Sequence, residues 1–391
     1  MILFMMVNPF LRYFIAILLK WGIPSARVKK DYALEPKVSV LMPTFNEGLR
    51  AYETIASIVH SDYPAEKLEL IAIDDCSSDD SYEWLLKAGA EFPNVKVSRN
   101  EVNRGKPATF LRAFSQSTGE IVIQIDSDCI FAKNTLHELM SCFSEPRMGA
   151  VGGAVNVKNV NENTLTMAQT LVYYTQFHLL RVIESATRTV ACISGCMFAI
   201  RREVLESILP SIEGRNWLGI PVHEGEDRFM AHLVLLSGHG TYINPDAQCW
   251  THVPSTLTQF LKQQIRWYRG TMRDFLLTVK TLPSNVWRLH PNAVYSLVIL
   301  PMQMIFTVFL TAYLMFTGLS WMIPAGLLSY AMTAAVFHAI TRKYQKDQAV
   351  DTPHMLVVLA VWPVVSVILT LYALCTFDHT DWGTREKVHE I

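Results

Sequence analysis

Three short runs rich in β-branched and aliphatic residues, Val38–Met42, Leu68–Ile73 and Ile121–Ile125, are separated by segments with helical patterning, and this alternation constrains the chain most. Strands joined through helices pair side by side, so the stretch from Val38 to about His290 reads as an α/β domain with a mostly parallel sheet. Such sheets bind ligands in the loops beyond the carboxyl ends of their strands. The residues found there are Pro43-Thr44-Phe45-Asn46-Glu47, Asp74-Asp75 and Asp126-Ser127-Asp128. Taken singly, Asn and Asp at a strand end serve equally well as turn residues.

Asp126 and Asp128 follow a strand two residues apart, which on an extended chain puts both carboxylates on one side. The pair suits a hard cation: Mg²⁺ or Mn²⁺ held there would neutralise a departing diphosphate. A solvated turn is the alternative. A third acidic group, Glu224-Gly225-Glu226-Asp227-Arg228, precedes a Leu-rich helix. It fits a plain helix start, where negative charge is favoured, or a general base, because a like-charged neighbour raises a carboxylate's pKa.

A mean hydropathy of +0.21, with half the residues hydrophobic, exceeds what an ordinary soluble enzyme shows. Met1 to about Ile23 reads as an anchor followed by Arg27, Lys29 and Lys30, and Ala293–Phe316, Trp321–Ile340 and Met355–Phe377 read as further membrane stretches. The third, interrupted by Pro363, is expected to be re-entrant or bent. These readings predict a multi-pass protein of the plasma membrane, in contact with lipids, its catalytic domain cytosolic. A net charge of -1 without a basic block excludes nucleic acid as a partner. Seven cysteines without a CxxC pair read as reduced thiols, too scattered in sequence for a zinc site.

Ser255–Lys280 places Leu257, Phe260, Leu261, Gln264, Ile265, Tyr268, Met272 and Phe275 on one helical face, with Lys262, Arg266, Arg269 and Arg273 toward polar surroundings. This is the pattern of an interfacial helix. Within it, Trp267 can stack on a sugar ring and Arg266 can grip phosphate, or both can be simple interfacial anchors.

In this order, PTFNE at Pro43, DD at Asp74, NRGK at Asn103, DSD at Asp126, SGCMFAIRR at Ser194, GEDR at Gly225, QQIRW at Gln263 and DWGTR at Asp381 resemble the processive family 2 glycosyltransferases. The likeness covers nearly the whole chain. It is strongest to the streptococcal-type hyaluronan synthases, with the nodulation-type chitooligosaccharide synthases a near second. The resemblance implies a GT-A type nucleotide-sugar-binding domain inserted between transmembrane helices, with amphipathic interface helices. Its parts would be an anchor (1–24), the catalytic domain (25–254), interface helices (255–290), a membrane region (291–377) and a gating tail (378–391).

By the same resemblance, Thr44, Glu47, Asp75 and Lys106 hold uridine diphosphate, Asp126 joins donor binding, and Asp128 with Asp126 binds the metal. Asp227, beside Glu226, is the general base. Gln263, Arg266 and Trp267 line the acceptor and diphosphate site, and Trp382 to Arg385 close over the nucleotide. Ser194, Gly195 and Cys196 border the acceptor, where hyaluronan synthases read SGPL and this chain reads SGCM. The implied activity is processive, inverting synthesis of a β-linked polysaccharide from UDP-GlcNAc and UDP-GlcA, fed across the membrane as it grows. A chitin-type enzyme using UDP-GlcNAc alone and a single-transfer lipid glycosyltransferase are the alternatives. A transporter gives Asp128 and Asp227 no use.

Overall fold

The computed structural model describes Ile15 and residues 28–213, 215–217, 220–221, 225–285, 289–324, 327 and 352–378. They fall into two compact units. One comprises the described residues up to Lys158, from Val28 onward, and those of Glu184–His252; the other comprises Asn159–Ile183 and the described residues from Val253.

The first unit is built on β1 (Val38–Thr44), β2 (Leu68–Asp74), β3 (Val95–Arg99), β4 (Ile121–Gln124), β5 (Ile130–Phe131), β6 (Met148–Val157), β7 (Phe198–Arg201), the small pair β8 (Asn216–Trp217) and β9 (Ile220–Pro221), and β10 (Gly240–Thr251). Apart from β8 and β9, they form one sheet in the order β3-β2-β1-β4-β7-β6-β10-β5. The half β3-β2-β1-β4 is parallel, as the sequence leads one to expect. The other half is mixed: β6 and β10 are parallel, but β7 runs antiparallel to both β4 and β6, and β5 antiparallel to β10. A reversed strand needs no helical crossover, so helix–strand alternation does not announce it.

β1 and β2 are buried along their whole length, which is why they read as unbroken apolar runs. Pro43 fits in β1 because strand carbonyls alternate sides. Leu41 accepts from Ile125 beyond β4 and Thr44 accepts from Asp75, so the ring nitrogen of Pro43 faces the side where the β4 register has already ended at Leu41. β1 lies between β2 and β4, both parallel to it. Crossovers therefore leave it in opposite directions and open a crevice at its carboxyl end.

One face of the sheet packs Leu41, Ile73, Phe198, Ile200 and Ile243 against Phe110, Leu205 and Met230 of the helices Lys106–Ser115, Arg202–Glu213 and Glu226–Leu236. That core fixes two helix starts, at Lys106 and Glu226, toward the crevice. Within the third helix, burial pushes the His232 imidazole down from 6.5 to about 4. The unfolded chain then takes up the proton first as pH falls, so stability is lost between about pH 6.5 and about 4, up to about 3 kcal/mol. Urea unfolding midpoints at neutral and acid pH should show this loss shrinking in His232→Gln.

In the second unit, the helix Leu257–Asn285 buries Phe260, Gln264, Met272 and Phe275 as its pattern predicts. Arg273 departs from that pattern. It is buried and donates to the Phe377 carbonyl (2.7 Å), while Arg269 donates to Thr376 Oγ1 (3.0 Å), so two cations sit at the carboxyl end of the helix Thr352–Thr376. The stretch expected to be re-entrant or bent is helical over Thr352–Thr376, with Pro363 inside it.

The expectation of a multi-pass membrane protein is corrected. Among the described residues, one helix, Pro291–Phe316, is long and apolar enough to cross a membrane; Val361–Thr376 is a shorter apolar helix. Hydropathy counts apolar side chains regardless of what covers them. In Thr352–Thr376, Leu369 and Ala373 are buried, and Ser366 bonds to Tyr268 of the neighbouring helix (2.8 Å). Nearly all of Met1–Ile23, most of Trp321–Ile340, and Trp382 and Arg385 lie outside the described residues.

Candidate active site

The carboxyl ends of β1, β2 and β4 carry the three polar groups singled out in the sequence. Behind β2, Asp74 pairs with Arg99 (2.9 Å) and accepts from the Ser77 amide (3.1 Å). Asp75 accepts from Asn100 Nδ2 (2.7 Å) and from the amides of Arg104 (2.9 Å) and Gly105 (2.8 Å). Two of these bonds to one buried carboxylate pin the NRGK loop, and the third holds Asn100 ahead of it. Gly105, at φ +80°, turns the chain there, and Lys106 begins the next helix.

The loop delivers Lys106 Nζ to two carboxylates, Asp126 Oδ1 at 2.6 Å and Glu226 Oε1 at 2.8 Å. Burial alone would lower the lysine's pKa, but the two anions raise it well above its ordinary value. Glu226 is correspondingly held below the usual carboxylate range: burial pushes it up, and the Lys106 charge more than reverses this. Gln124, the last residue of β4, donates to Glu226 Oε1 at 3.4 Å. Its polar side chain in the run Ile121–Ile125 was the sequence signal for this contact.

β4 ends at Gln124, and Ser127 and Asp128 form a turn rather than the extended segment expected. Thr54 Oγ1 bonds to the Ser127 carbonyl (3.0 Å), and Thr251 Oγ1 and Cys129 Sγ bond to Asp128 (3.2 and 3.5 Å). The two carboxylates still interact: burial first, then the charge on Asp126, raises the pKa of Asp128. Paired carboxylate oxygens that still repel one another, although Lys106 and Thr251 offset part of their charge, suit a hard divalent cation. Asp126, Cys129 and Cys196 also bring one ligand atom each within 4.8 Å of one another, a group that can hold a metal ion.

Glu226 and Asp227 open a helix behind Gly225, which takes φ +67°. Asp227 accepts from the Arg228 amide (2.8 Å) and the Gly195 amide (3.4 Å). Burial and then the Glu226 charge raise its pKa, the condition a general base requires. A side chain on Gly195 would come within 2.9 Å of Lys106 Nζ, so the absence of one lets the lysine reach both anions. Cys196 Sγ lies 3.4 Å from Asp126 Oδ2.

On the β1 side, Asn46, Glu47, Arg50, Glu53, Asp79, Lys158 and His252 line a cleft of about 630 Å³. Thr44 is buried at its base strand, its hydroxyl on the Met42 carbonyl (3.4 Å). Arg50 and Lys158, cations suited to phosphate, escape the sequence reading because neither stands in a motif. Lys106, Asp126, Asp128, Ser194, Gly195, Cys196, Glu226 and Asp227 thus come from four separate segments of the first unit. Gln263, Arg266 and Trp267 lie on Leu257–Asn285 in the second unit, Trp267 with 42% of its surface exposed.

The profile of Glycosyl transferase family 2 matches residues 39–209, and that of Chitin synthase matches residues 214–390. A Hyaluronan synthase of Streptococcus pyogenes is 28% identical over 366 residues, spanning 90% of this chain and 84% of its own length. An N-acetylglucosaminyltransferase of Rhizobium meliloti is 30% identical over 364 residues, spanning 91% and 83%. Among solved structures, the mannosyltransferase PcManGT from Pyrobaculum calidifontis, in complex with GDP-Man and Mn²⁺, aligns over 94% of this chain and 95% of its own with a TM-score of 0.59 and 21% identity. At that identity the likeness concerns the fold, a GT-A-like mixed α/β architecture.

Proposed function

The chain belongs to glycosyltransferase family 2, and we propose that it is a processive, inverting enzyme that builds a β-linked polysaccharide from UDP-GlcNAc and UDP-GlcA. The observation that carries this reading is the placement of a half-buried Asp227, its pKa raised by desolvation and by Glu226, beside the Lys106–Asp126–Glu226 network on the same crevice. Transfer from a nucleotide sugar needs a base for the acceptor hydroxyl, which Asp227 can supply, and carboxylates held in place to take up a cation beside the diphosphate, which Lys106 positions at Asp126.

In this reading Asp227 removes the acceptor's proton as its oxygen attacks the anomeric carbon from the side opposite the diphosphate, which inverts that centre. Lys106 holds Asp126 and Glu226 in place, and Glu47 and Arg50 flank the nucleotide in the cleft. Asp128 and Asp126 would hold Mg²⁺ or Mn²⁺, which when bound offsets the charge of the leaving diphosphate. By resemblance Gln263, Arg266 and Trp267 engage acceptor and diphosphate, and Trp382 and Arg385 close over the nucleotide. Exposed Phe309, Met315 and Phe316 on the long apolar helix support contact with membrane lipids.

A second reading, UDP-GlcNAc as sole donor, is favoured by Cys196, which stands where hyaluronan synthases carry proline, and by the chitin synthase match. UDP release by the purified chain with Mg²⁺ or Mn²⁺ decides. Release that requires UDP-GlcNAc and UDP-GlcA together is the expected result. Release with UDP-GlcNAc alone selects the second reading, and release with neither defeats both.

A further inference from the structure

The cysteines that look scattered in sequence are gathered by the fold. Cys129 follows the Asp126–Asp128 turn, Cys196 precedes β7, and both thiols are buried beside the same carboxylates. Cys196 Sγ is 3.4 Å from Asp126 Oδ2, Cys129 Sγ is 3.5 Å from Asp128 Oδ1, and the ligand atoms of Asp126, Cys129 and Cys196 all lie within 4.8 Å of one another. A tetrahedral site with metal–sulfur bonds of about 2.3 Å and metal–oxygen bonds of about 2.0 Å has sulfur–oxygen edges of about 3.5 Å and sulfur–sulfur edges of about 3.8 Å. The Cys196–Asp126 edge is already present, and the remaining edges need to close by about 1.3 Å at most.

We propose that Asp126, Cys129 and Cys196 form a binding site for a thiophilic divalent cation, zinc or cadmium, different in ligand chemistry from the Asp126–Asp128 pair. Soft thiolates select such cations over Mg²⁺ or Mn²⁺. On binding, each thiol gives its proton to solvent. Two thiolates, one carboxylate and a divalent cation leave one net negative charge, and the Lys106 ammonium, 2.6 Å from Asp126 Oδ1 and shared with Glu226, offsets part of it. Lys106 occupies Oδ1 while Cys196 faces Oδ2, so lysine and cation do not contend for one oxygen. On the transferase reading, the occupied site draws Asp126 away from the donor and inhibits transfer.

The test is a Cd²⁺ titration of the purified full chain without Mg²⁺ or Mn²⁺, followed by the ultraviolet thiolate-to-cadmium charge-transfer band. One tight Cd²⁺ per chain is expected, with affinity falling at least about tenfold in Cys196→Ser and Cys129→Ser, and unchanged in Cys375→Ser, whose thiol is exposed. Equal affinity in all three variants overturns the proposal. Should a variant fail to fold, cadmium X-ray absorption on the wild-type chain decides instead. A first shell with two sulfurs supports the site, and a shell of oxygen and nitrogen alone refutes it. UDP release measured in parallel separates the two ideas: a Cd²⁺ site in a chain that releases no UDP from any donor leaves the site standing and removes the transferase reading.

Discussion

Asp227→Asn should lower turnover by about 10²- to 10⁴-fold while donor affinity stays close to that of the wild type. The substitution preserves shape, and the single amide oxygen can keep the shorter bond, from the Arg228 amide at the helix start, while the long contact from Gly195 is given up. What it removes is the ability to take a proton. The wild-type group is suited to that step because burial and the neighbouring Glu226 charge raise its pKa. The same shift sets a pH dependence. The basic form of Asp227 exists only above the raised value, so the wild-type rate should rise with pH beyond the ordinary carboxylate range, and this limb should vanish in the variant. Single-turnover rates across pH, with UDP-sugar affinity from calorimetry, check both points. Equal loss of rate and donor binding would mean that Asp227 serves the donor rather than the acceptor.

The parallel half of the fold was legible because β1, β2 and β4 are buried on both faces, and burial of that kind writes itself as short apolar runs. The mixed half was not, since β7 is four residues long and its reversed direction leaves no periodicity to read. A strand-end motif led to Asp126 and Asp128, a helix-start motif to Asp227 and the family resemblance to Lys106, yet sequence spacing says nothing of contacts such as Lys106 to Glu226 across 120 positions of chain. The thiols illustrate the same limit: Cys129 and Cys196 are neighbours only because β4 and β7 pair. Hydropathy misled at the carboxyl end. It counts covered and uncovered apolar residues alike: in Thr352–Thr376, Leu369 and Ala373 are buried while Ile368 and Leu371 are exposed. Arg273 misled in the opposite direction, because a cation at a helix carboxyl end can be buried where a lone charge could not.

Lys106→Met should cost about 3–5 kcal/mol of stability and abolish transfer, and adding Glu226→Gln should return most of the stability but none of the activity. Lys106 sits between two carboxylates in a nearly closed space, and removing its charge leaves Asp126 and Glu226 facing each other without a counter-ion. Neutralising Glu226 relieves that repulsion, while Asp126 retains its other contact with Cys196. Activity stays lost because the doubly substituted site offers neither the lysine nor the anion that positions it. Chemical unfolding of the wild type, both single variants and the double variant gives the coupling energy directly. A coupling near zero would show that the two carboxylates do not depend on Lys106 for their stability. Lys106 would then act on the donor phosphates alone, and loss of donor affinity in Lys106→Met without loss of stability would be its signature.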